Sequence, residues 1–409
     1  MSSNDNSSNS KTCIFCDAAL TPLTKPEHIL LNGLGGRKSS RDLICDRHNG
    51  DFGSTIDKAL LDQVTVIRNM LQLESGQGRP PPMLRRIEAG KEIFNIRNDG
   101  SFQQVARPFT ITKREDGATM LSVNARSWEH VAELIPNIAA ALNTTEDKVR
   151  DILKASPAES VWKRPDPIRH DVLLGGPEAL RSMAKACVEL WATVAGKEDV
   201  KSAAFSAARQ FILSGAADFL RNRTSQDYRH LPCAGALATR YGEFFNLIYV
   251  QSDASGRVIG HFTLYNMMAW QIVLADGGKP RRRVGLVSNP LDPGVWSDAI
   301  AGEFDIGCAW LSAPEIDDDQ ARYVSRVEAM VKHHQWKAMG VSVERIVAEE
   351  LKKLGIADLL TEPDHGKRMK AVQAISHRVA LHVMNVPHSQ KLGPDEVAAR
   401  LNEAEASKS

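Results

Sequence analysis

The sequence lacks the features that would place it in a specialised class of protein. Only six of its 409 residues are cysteine, which is too few for a disulfide framework in a chain of this length. The formal net charge is +1, so no global field attracts nucleic acid and any phosphate contact must come from local patches. No segment approaches the roughly 18 consecutive apolar residues of a membrane-spanning helix, because charged side chains interrupt even the run from Ala203 to Leu220.

Both ends of the chain are polar. Residues 1–10 are mainly Ser and Asn, and they have neither the basic start nor the apolar core of a signal peptide. We therefore expect a disordered leader over 1–10, a disordered tail over 404–409, and a soluble cytoplasmic protein with no membrane partner.

The length and the glycine and proline positions predict several domains. At 409 residues, of which 43% are apolar, two or three cores are expected. Two glycines and a three-proline run between residues 76 and 84 predict a linker after a first module at 11–75. A mixed α+β domain with a recognition or regulatory role is predicted over 85–312, and a helical C-terminal region over 313–403.

Periodic apolar residues place the main secondary-structure elements. A single helix is predicted from about Asp46 past Met70, and its buried stripe is Ile56, Leu60, Val64 and Ile67. Strands are predicted within 92–123 and 244–275, where short apolar stretches alternate with turn residues. Helices are predicted over 128–154, with Ser127 and Thr145 as caps, and over 177–220, with a break at Gly196.

Four potential zinc ligands form two similarly spaced pairs near the N-terminus. Two residues separate the ligands of each pair, so both lie on one side of a tight turn, and two such pairs complete a tetrahedral shell. The alternatives are chance spacing and a redox C-x-x-C, but a redox motif lacks the second pair of ligands that this sequence has. The predicted ligands of a structural Zn²⁺ are Cys13, Cys16, Cys45 and His48.

The segment around these ligands resembles a known family. KTCIFCDAALTPLTKPEHILLNGLGGRKSSRDLICDRHNGDFGSTIDKAL, residues 11–60, is similar to the zinc-knuckle type of HNH endonuclease. The shared features are a double knuckle, an acid-His step, a Gly-Gly turn, and an Asn after the last ligand. The resemblance implies a zinc-stabilised ββα-metal finger, and the fold class expected for the whole chain is α+β, with a larger mixed domain that contains an antiparallel sheet and many helices.

The resemblance and the chemistry of phosphodiester hydrolysis imply the same roles for three residues. His28 can act as general base, because imidazole titrates near neutral pH. Glu27 and Asn49 offer the oxygen ligands that a catalytic ion such as Mg²⁺ prefers. The alternatives are a buried structural histidine at His28 and a helix-capping role for Asn49. The family usually closes its second knuckle with cysteine rather than His48, and Asp51 and Asp57 are candidates for a further ligand only by their proximity in sequence.

Four basic residues beside the proposed site could contact flanking phosphates of DNA, although a solvated hairpin rim is an equally good interpretation. They are Arg37, Lys38, Arg41 and Arg47. We therefore expect a divalent-metal-dependent DNA endonuclease, and by resemblance a role in restriction or anti-phage defence. The alternatives are a zinc-stabilised nucleic-acid-binding or regulatory protein that does not cut, and a nuclease activated by a small molecule bound to the C-terminal region. Two nuclease modules acting on one duplex would require a homodimer.

Overall fold

The structure is a computed structural model that describes residues 12–113, 115, 117–162, 165–166, 168–169, 173–298, 306–312, 320–384 and 386–406. The predicted leader, residues 1–10, lies outside this range. The fold is mixed α+β with antiparallel sheets, which confirms the predicted fold class.

The strands are short and all of their pairings are antiparallel. They are β1 (Glu27–His28), β2 (Ser39–Ser40), β3 (Leu84–Ala89), β4 (Glu92–Ile96), β5 (Phe102–Gln104), β6 (Phe109–Lys113), β7 (Thr119–Val123), β8 (Ala158–Trp162), β9 (Thr224–Asp227), β10 (Asn246–Ser252), β11 (Val258–Leu264), β12 (Met268–Ala275), β13 (Arg283–Ser288), β14 (Trp296–Ser297) and β15 (His388–Leu392).

The α-helices range from one turn to more than nine turns. They are α1 (Asp46–Ser54), α2 (Ile56–Gln63), α3 (Thr65–Met70), α4 (Trp128–Leu142), α5 (Glu146–Lys154), α6 (Pro177–Ala195), α7 (Lys197–Lys201), α8 (Ser206–Ser214), α9 (Ala217–Arg223), α10 (Ala234–Tyr241), α11 (Cys308–Ser312), α12 (Gln320–Lys353), α13 (His365–Val383) and α14 (Pro394–Ala406). Short 3₁₀ helices lie at Asn32–Leu34 and Ala203–Phe205.

The chain divides into two compact units that are not continuous in sequence. The first comprises the described parts of Met1–Pro82, Asn98–Gly100 and Asp171–Gln335, and the second those of Met83–Arg97, Ser101–His170 and Trp336–Ser409. This division differs from the predicted succession of domains, because the sheet and helices between 171 and 335 belong with the N-terminal module rather than with residues 85–170. One boundary between the two units falls after Pro82.

The core of the first unit is a six-stranded sheet covered by one buried helix. The strand order is β14-β13-β10-β11-β12-β9, so the predicted strands over 244–275 form its centre. Helix α6 packs on this sheet, and it closely approaches β11 because Gly260 has no side chain. A Cβ at Gly260 would lie 2.8 Å from the Sγ of Cys187. Helix α6 ends before Gly196, the predicted break.

The N-terminal module of this unit has the predicted order of two strands and a helix. Strand β1 pairs with β2, with Glu27 opposite Ser40 and His28 opposite Ser39, and α1 follows. The prediction of one helix from Asp46 past Met70 is wrong, because the segment forms the separate helices α1, α2 and α3. At the first break the hydroxyls of Ser54 and Thr55 both donate to the carbonyl of Asp51, which competes with the helical hydrogen-bond ladder.

The predicted apolar stripe of this segment is nevertheless buried, and α2 packs against α6. The breaks therefore redirect the chain while they keep the stripe on the core side. The stripe consists of Ile56, Leu60, Val64 and Ile67.

The second unit is built from three small sheets and a helical core. Strands β3-β4-β5 form one sheet, β6 pairs with β7, and β8 pairs with β15. Helices α4, α5 and α14 share a core around Ile135, Val149 and Leu401. The side chains of Ser127 and Thr145 accept backbone hydrogen bonds at the starts of α4 and α5, which confirms both predicted caps.

Two expectations about the C-terminal part need correction. The predicted helical region also contains the strand β15. The predicted disordered tail starts too early, because α14 continues through Ala406 and Ala404 is buried; residues 407–409 lie outside the described range. None of the helices in the described part of the chain is long and apolar enough to cross a membrane.

Candidate metal centre and the residues around it

Three thiols and one imidazole converge in the N-terminal module, the finger, which contains strands β1 and β2 and helix α1. The Nδ1 of His48 lies 3.4 Å from the Sγ of Cys13, 3.7 Å from that of Cys16 and 3.5 Å from that of Cys45. The Sγ atoms of Cys16 and Cys45 are 3.8 Å apart. A zinc ion with Zn–S bonds of about 2.3 Å places its tetrahedral ligands about 3.5–3.8 Å from one another. The four side chains thus fit a structural zinc ion, and they are the predicted ligands.

Local backbone contacts join the two knuckles. The amide of Ile14 donates to the carbonyl of Leu43 across the knuckles, and the amide of Phe15 donates to the Sγ of Cys13. Cys45 directly precedes α1, so the first turn of this helix carries His48 back toward the thiols. The sequence folds this way because each x-x spacing spans one tight turn.

The electrostatics of the cluster suit a metal ion. Burial raises the pKa of the Cys13 thiol to about 11, which makes an uncompensated thiolate costly at this position. Burial and the nearby Arg47 lower the pKa of His48, so its imidazole is neutral near pH 7 and has a lone pair to offer. A bound cation would stabilise the Cys13 thiolate, which burial disfavours.

Aromatic rings separate the cluster from the rest of the finger. Phe52, one turn after His48 on α1, stacks on the His48 ring at 5.5 Å between centroids. Phe15 packs edge-on against both rings. The imidazole is therefore fixed by packing as well as by its place on the helix.

Strand β1 presents Glu27 and His28 to different surroundings. The Glu27 carboxylate is buried, whereas His28 is partly exposed, as expected for neighbours on a strand. The His28 ring makes no hydrogen bond or ion pair with any residue that the structure describes. Burial, and secondarily the charge of Lys185, lower its pKa, so the imidazole is neutral and able to accept a proton at pH 7.

Asn49 connects the start of α1 to the chain that leads into β1. Its side-chain amide lies 3.5 Å from the carbonyl oxygen of Lys25 and 3.4 Å from that of Pro26. The structure thus brings Asn49 beside the Glu27-His28 step. Asp51 and Asp57 differ in their surroundings, since Asp51 is exposed on α1 whereas Asp57 is buried in α2.

The Glu27 carboxylate is bound by a lysine that the sequence analysis did not identify. The Nζ of Lys185, on α6, lies 2.6 Å from the Oε1 of Glu27 and 2.6 Å from the Oδ2 of Asp57. Ser182, one turn earlier on α6, donates to the other oxygen of Asp57 at 2.6 Å. None of the described residues donates a hydrogen bond to the Oε2 of Glu27. The signal for Lys185 was a charged residue in the middle of an apolar helix face, ALRSMAKACVELW.

The four basic residues do not form one free patch. The Lys38 ammonium pairs with Asp298, and the Arg41 guanidinium donates to the carbonyl of Thr24. Arg37 and Arg47 are exposed, and Arg47 also approaches the Nε2 of His48 at 3.4 Å. Arg37 is therefore the cation of this group that no described residue engages.

Comparison with known proteins assigns these features to no family. No protein-family model matches the sequence, and no curated protein or solved structure is significantly similar to it.

Proposed function

We propose that the protein is a phosphodiester hydrolase of the HNH type that cuts DNA. The observation that carries this proposal is His28 on β1, which is partly exposed and which no described residue engages, while Asn49 on α1 contacts the carbonyl of Pro26 just before β1. A neutral imidazole with a free nitrogen at an accessible position is suited to accept a proton.

The proposed structural zinc ion holds the scaffold and takes no part in the chemistry. Cys13, Cys16, Cys45 and His48 would fill all four positions of a tetrahedral shell, which leaves none for water or substrate. The zinc would thereby fix α1 relative to the segment that carries β1, and so the relative positions of His28 and Asn49.

In the proposed reaction His28 accepts a proton from a water molecule whose oxygen attacks the phosphorus. A new phosphorus–oxygen bond forms, and the bond to the leaving oxygen breaks. A divalent ion such as Mg²⁺, held by the Oε2 of Glu27 and the side-chain oxygen of Asn49, would supply charge neutralisation at the phosphate and the leaving oxygen. The exposed Arg37 and Arg47 would bind phosphates that flank the scissile bond.

The first experiment compares plasmid cleavage by the wild type and His28→Ala, with Mg²⁺ and with EDTA. We expect metal-dependent nicking by the wild type and a loss of at least 100-fold in the variant, the scale of a removed general base. Zinc content and melting temperature should be equal in both proteins. Equal nicking by both proteins would contradict the proposal.

One observation favours a second candidate, a nucleic-acid-binding protein that does not cut. Lys185 already neutralises the inner oxygen of Glu27, so a finger with this arrangement can be stable without a divalent ion. Such a protein would bind DNA with strong salt dependence, and His28→Ala would leave that affinity unchanged. Arg37→Ala would weaken binding and reduce the salt slope by about one unit.

A further inference from the structure

The most unusual feature of the first unit is a lysine in a fully buried environment. Lys185 has 0% of its surface exposed, and burial alone would lower its pKa. Three carboxylates around it have the opposite effect and prevail, so the ammonium is charged. They are Glu189, Asp57 and Glu27.

We propose that the Lys185 ammonium is the resident cation of a cage formed by the carboxylates of Glu27 and Asp57, with the buried carboxyl of Glu189 one turn further along α6, and that it positions strand β1. The cage joins three elements, because Glu27 lies on β1, Asp57 on α2, and Lys185 with Glu189 on α6. The Lys185 ammonium occupies the position that a bound metal ion would have in such a cage, but this cation is a side chain of the protein. Lys185 is a positioning residue, since it acts on β1 through Glu27.

The geometry of the ammonium supports this assignment. Two carboxylate oxygens from different elements each lie 2.6 Å from one Nζ atom, which is the convergence expected around a cation. The Ser182 hydroxyl holds the second oxygen of Asp57, and the Nζ also lies 5.6 Å from the centre of the Phe52 ring. Every group that contacts the ammonium is anionic or electron-rich.

Glu189 supplies an independent observation. It lies one turn after Lys185 on α6, is fully buried, and finds no hydrogen-bond partner among the described residues for either carboxylate oxygen. Burial raises its pKa, which the Lys185 charge only partly offsets. An unpartnered buried carboxyl beside two ion-paired carboxylates leaves the cage with more acceptors than the single ammonium uses.

The cage excludes a divalent ion as long as Lys185 is present. A Mg²⁺ or Mn²⁺ ion needs its own oxygen ligands at about 2.0–2.2 Å and would overlap the Nζ. Removal of the ammonium therefore has a specific consequence. Up to three carboxylates would then face a space of cation size, which is a ligand set that hard divalent ions prefer.

The test uses the zinc-loaded full chain and its Lys185→Ala variant, with Mn²⁺ as the probe. We expect the melting temperature to fall by roughly 6–20 °C, as for a broken buried ion pair. Mn²⁺ should raise the melting temperature of the variant by at least half of this loss. The same addition should not raise the melting temperature of the wild type. Calorimetry and electron paramagnetic resonance should find one more bound Mn²⁺ in the variant than in the wild type.

Two further variants control the experiment. Lys58→Ala removes an exposed lysine of α2 and should change neither the melting temperature nor the number of Mn²⁺ ions. The triple variant Lys185→Met, Glu27→Gln, Asp57→Asn removes both partners together with the ammonium. It should recover most of the stability and bind no extra Mn²⁺, because neutral groups need no counter-ion.

Equal Mn²⁺ binding by the wild type and Lys185→Ala would overturn the proposal. If Lys185→Ala does not fold, the triple variant tests the proposal instead. A triple variant that also fails to fold would show that Lys185 does more than neutralise Glu27 and Asp57, and would contradict the proposal. Neither readout depends on DNA cleavage. A chain that cuts nothing can still confirm the cage, and an active nuclease with no extra Mn²⁺ site would refute it.

Discussion

Single residues in the first unit show that equal residue types have different roles in different surroundings. His28 is partly exposed and unpartnered, His48 faces three thiols, and His261 is fully buried on β11. Both ring nitrogens of His261 lack a hydrogen-bond partner, and the nearest carboxylate oxygen, of Asp227, is 3.8 Å away. The three residues are chemically identical, so their surroundings alone distinguish the proposed base His28 from the candidate ligand His48 and from the core residue His261.

Substitution of one knuckle residue should remove the metal. Cys45→Ala deletes one of four ligands, so we expect zinc content to fall from one ion per chain to almost none. The free energy of unfolding should fall by more than about 3 kcal/mol, because metal binding is coupled to folding. Elemental analysis and thermal unfolding measure the two effects. Cys233→Ala, which removes a cysteine outside the cluster, should leave the zinc content unchanged.

The buried His261 should make stability depend on pH. Burial lowers the pKa of His261 from 6.5 to about 4, whereas the charge of Asp227 opposes and that of Arg229 assists this effect. The unfolded chain therefore takes up a proton at higher pH than the folded chain, and stability falls as pH drops from 6.5 toward 4. The loss attributable to this residue is roughly 2–3 kcal/mol.

The measurement compares denaturant unfolding of the wild type and His261→Gln between pH 4 and 7. The variant should show a shallower decrease in stability, whatever its stability at pH 7. His365→Gln, at an exposed position, provides the control and should keep the wild-type slope. Identical slopes in all three proteins would contradict a neutral, buried His261.

At the scale of elements, two glycine pairs of the finger have opposite roles. A Cβ at Gly36 would lie 1.9 Å from the carbonyl oxygen of Leu30, and one at Gly76 would lie 2.0 Å from the carbonyl oxygen of Gly36. Gly50 and Gly53, on α1, have no atom within 4 Å of such a position. Packing against the sheet thus does not explain the glycines of α1.

This difference predicts opposite effects of the same substitution. Gly53→Ala should stabilise the chain by about 1 kcal/mol, because alanine favours an exposed helix more than glycine does. Gly36→Ala should cost several kcal/mol, since backbone atoms would have to move. Thermal unfolding measures both variants. A loss of DNA affinity in Gly53→Ala with unchanged stability would indicate that DNA approaches the backbone at this position.

The sequence predicted the elements better than it predicted their assembly. The knuckles, the caps at Ser127 and Thr145, and the central strands could be found because their signals lie within a few residues of each other. The break at Thr55 could not be found, because the apolar stripe continues through it. The partners of Glu27 could not be found either, since Lys185 lies 158 residues away and no local pattern connects them.

At the scale of the whole molecule, the finger shares its interior with α6. Helix α2 packs against α6, and the charges of Glu27 and Asp57 are balanced by a residue of that helix. The resemblance covered residues 11–60 alone and implied a self-contained finger. The structure shows that this module and the helix of a distant segment bury the same charged groups.

Residues 11–75 expressed alone should therefore not fold as they do in the full chain. The fragment retains the four zinc ligands, so it should bind one zinc ion. It lacks the counter-ion of two buried carboxylates and the partner of its apolar stripe, and we expect poorly dispersed amide resonances and no cooperative unfolding transition. A fragment with full cooperativity and native stability would contradict a shared interior.

The segment that follows α3 gives the finger a mechanical property. Composition alone predicts a linker over residues 76–84, yet the amide of Gly76 donates to the carbonyl of Asn32, and the carbonyl of Pro82 accepts from the side chain of Asn69. A force applied to the chain after residue 82 would act on these hydrogen bonds and on the glycine turn before it acted on the zinc ligands. The chain that follows α3 is therefore fastened at Gly76 to the turn between β1 and β2, and at Pro82 to α3.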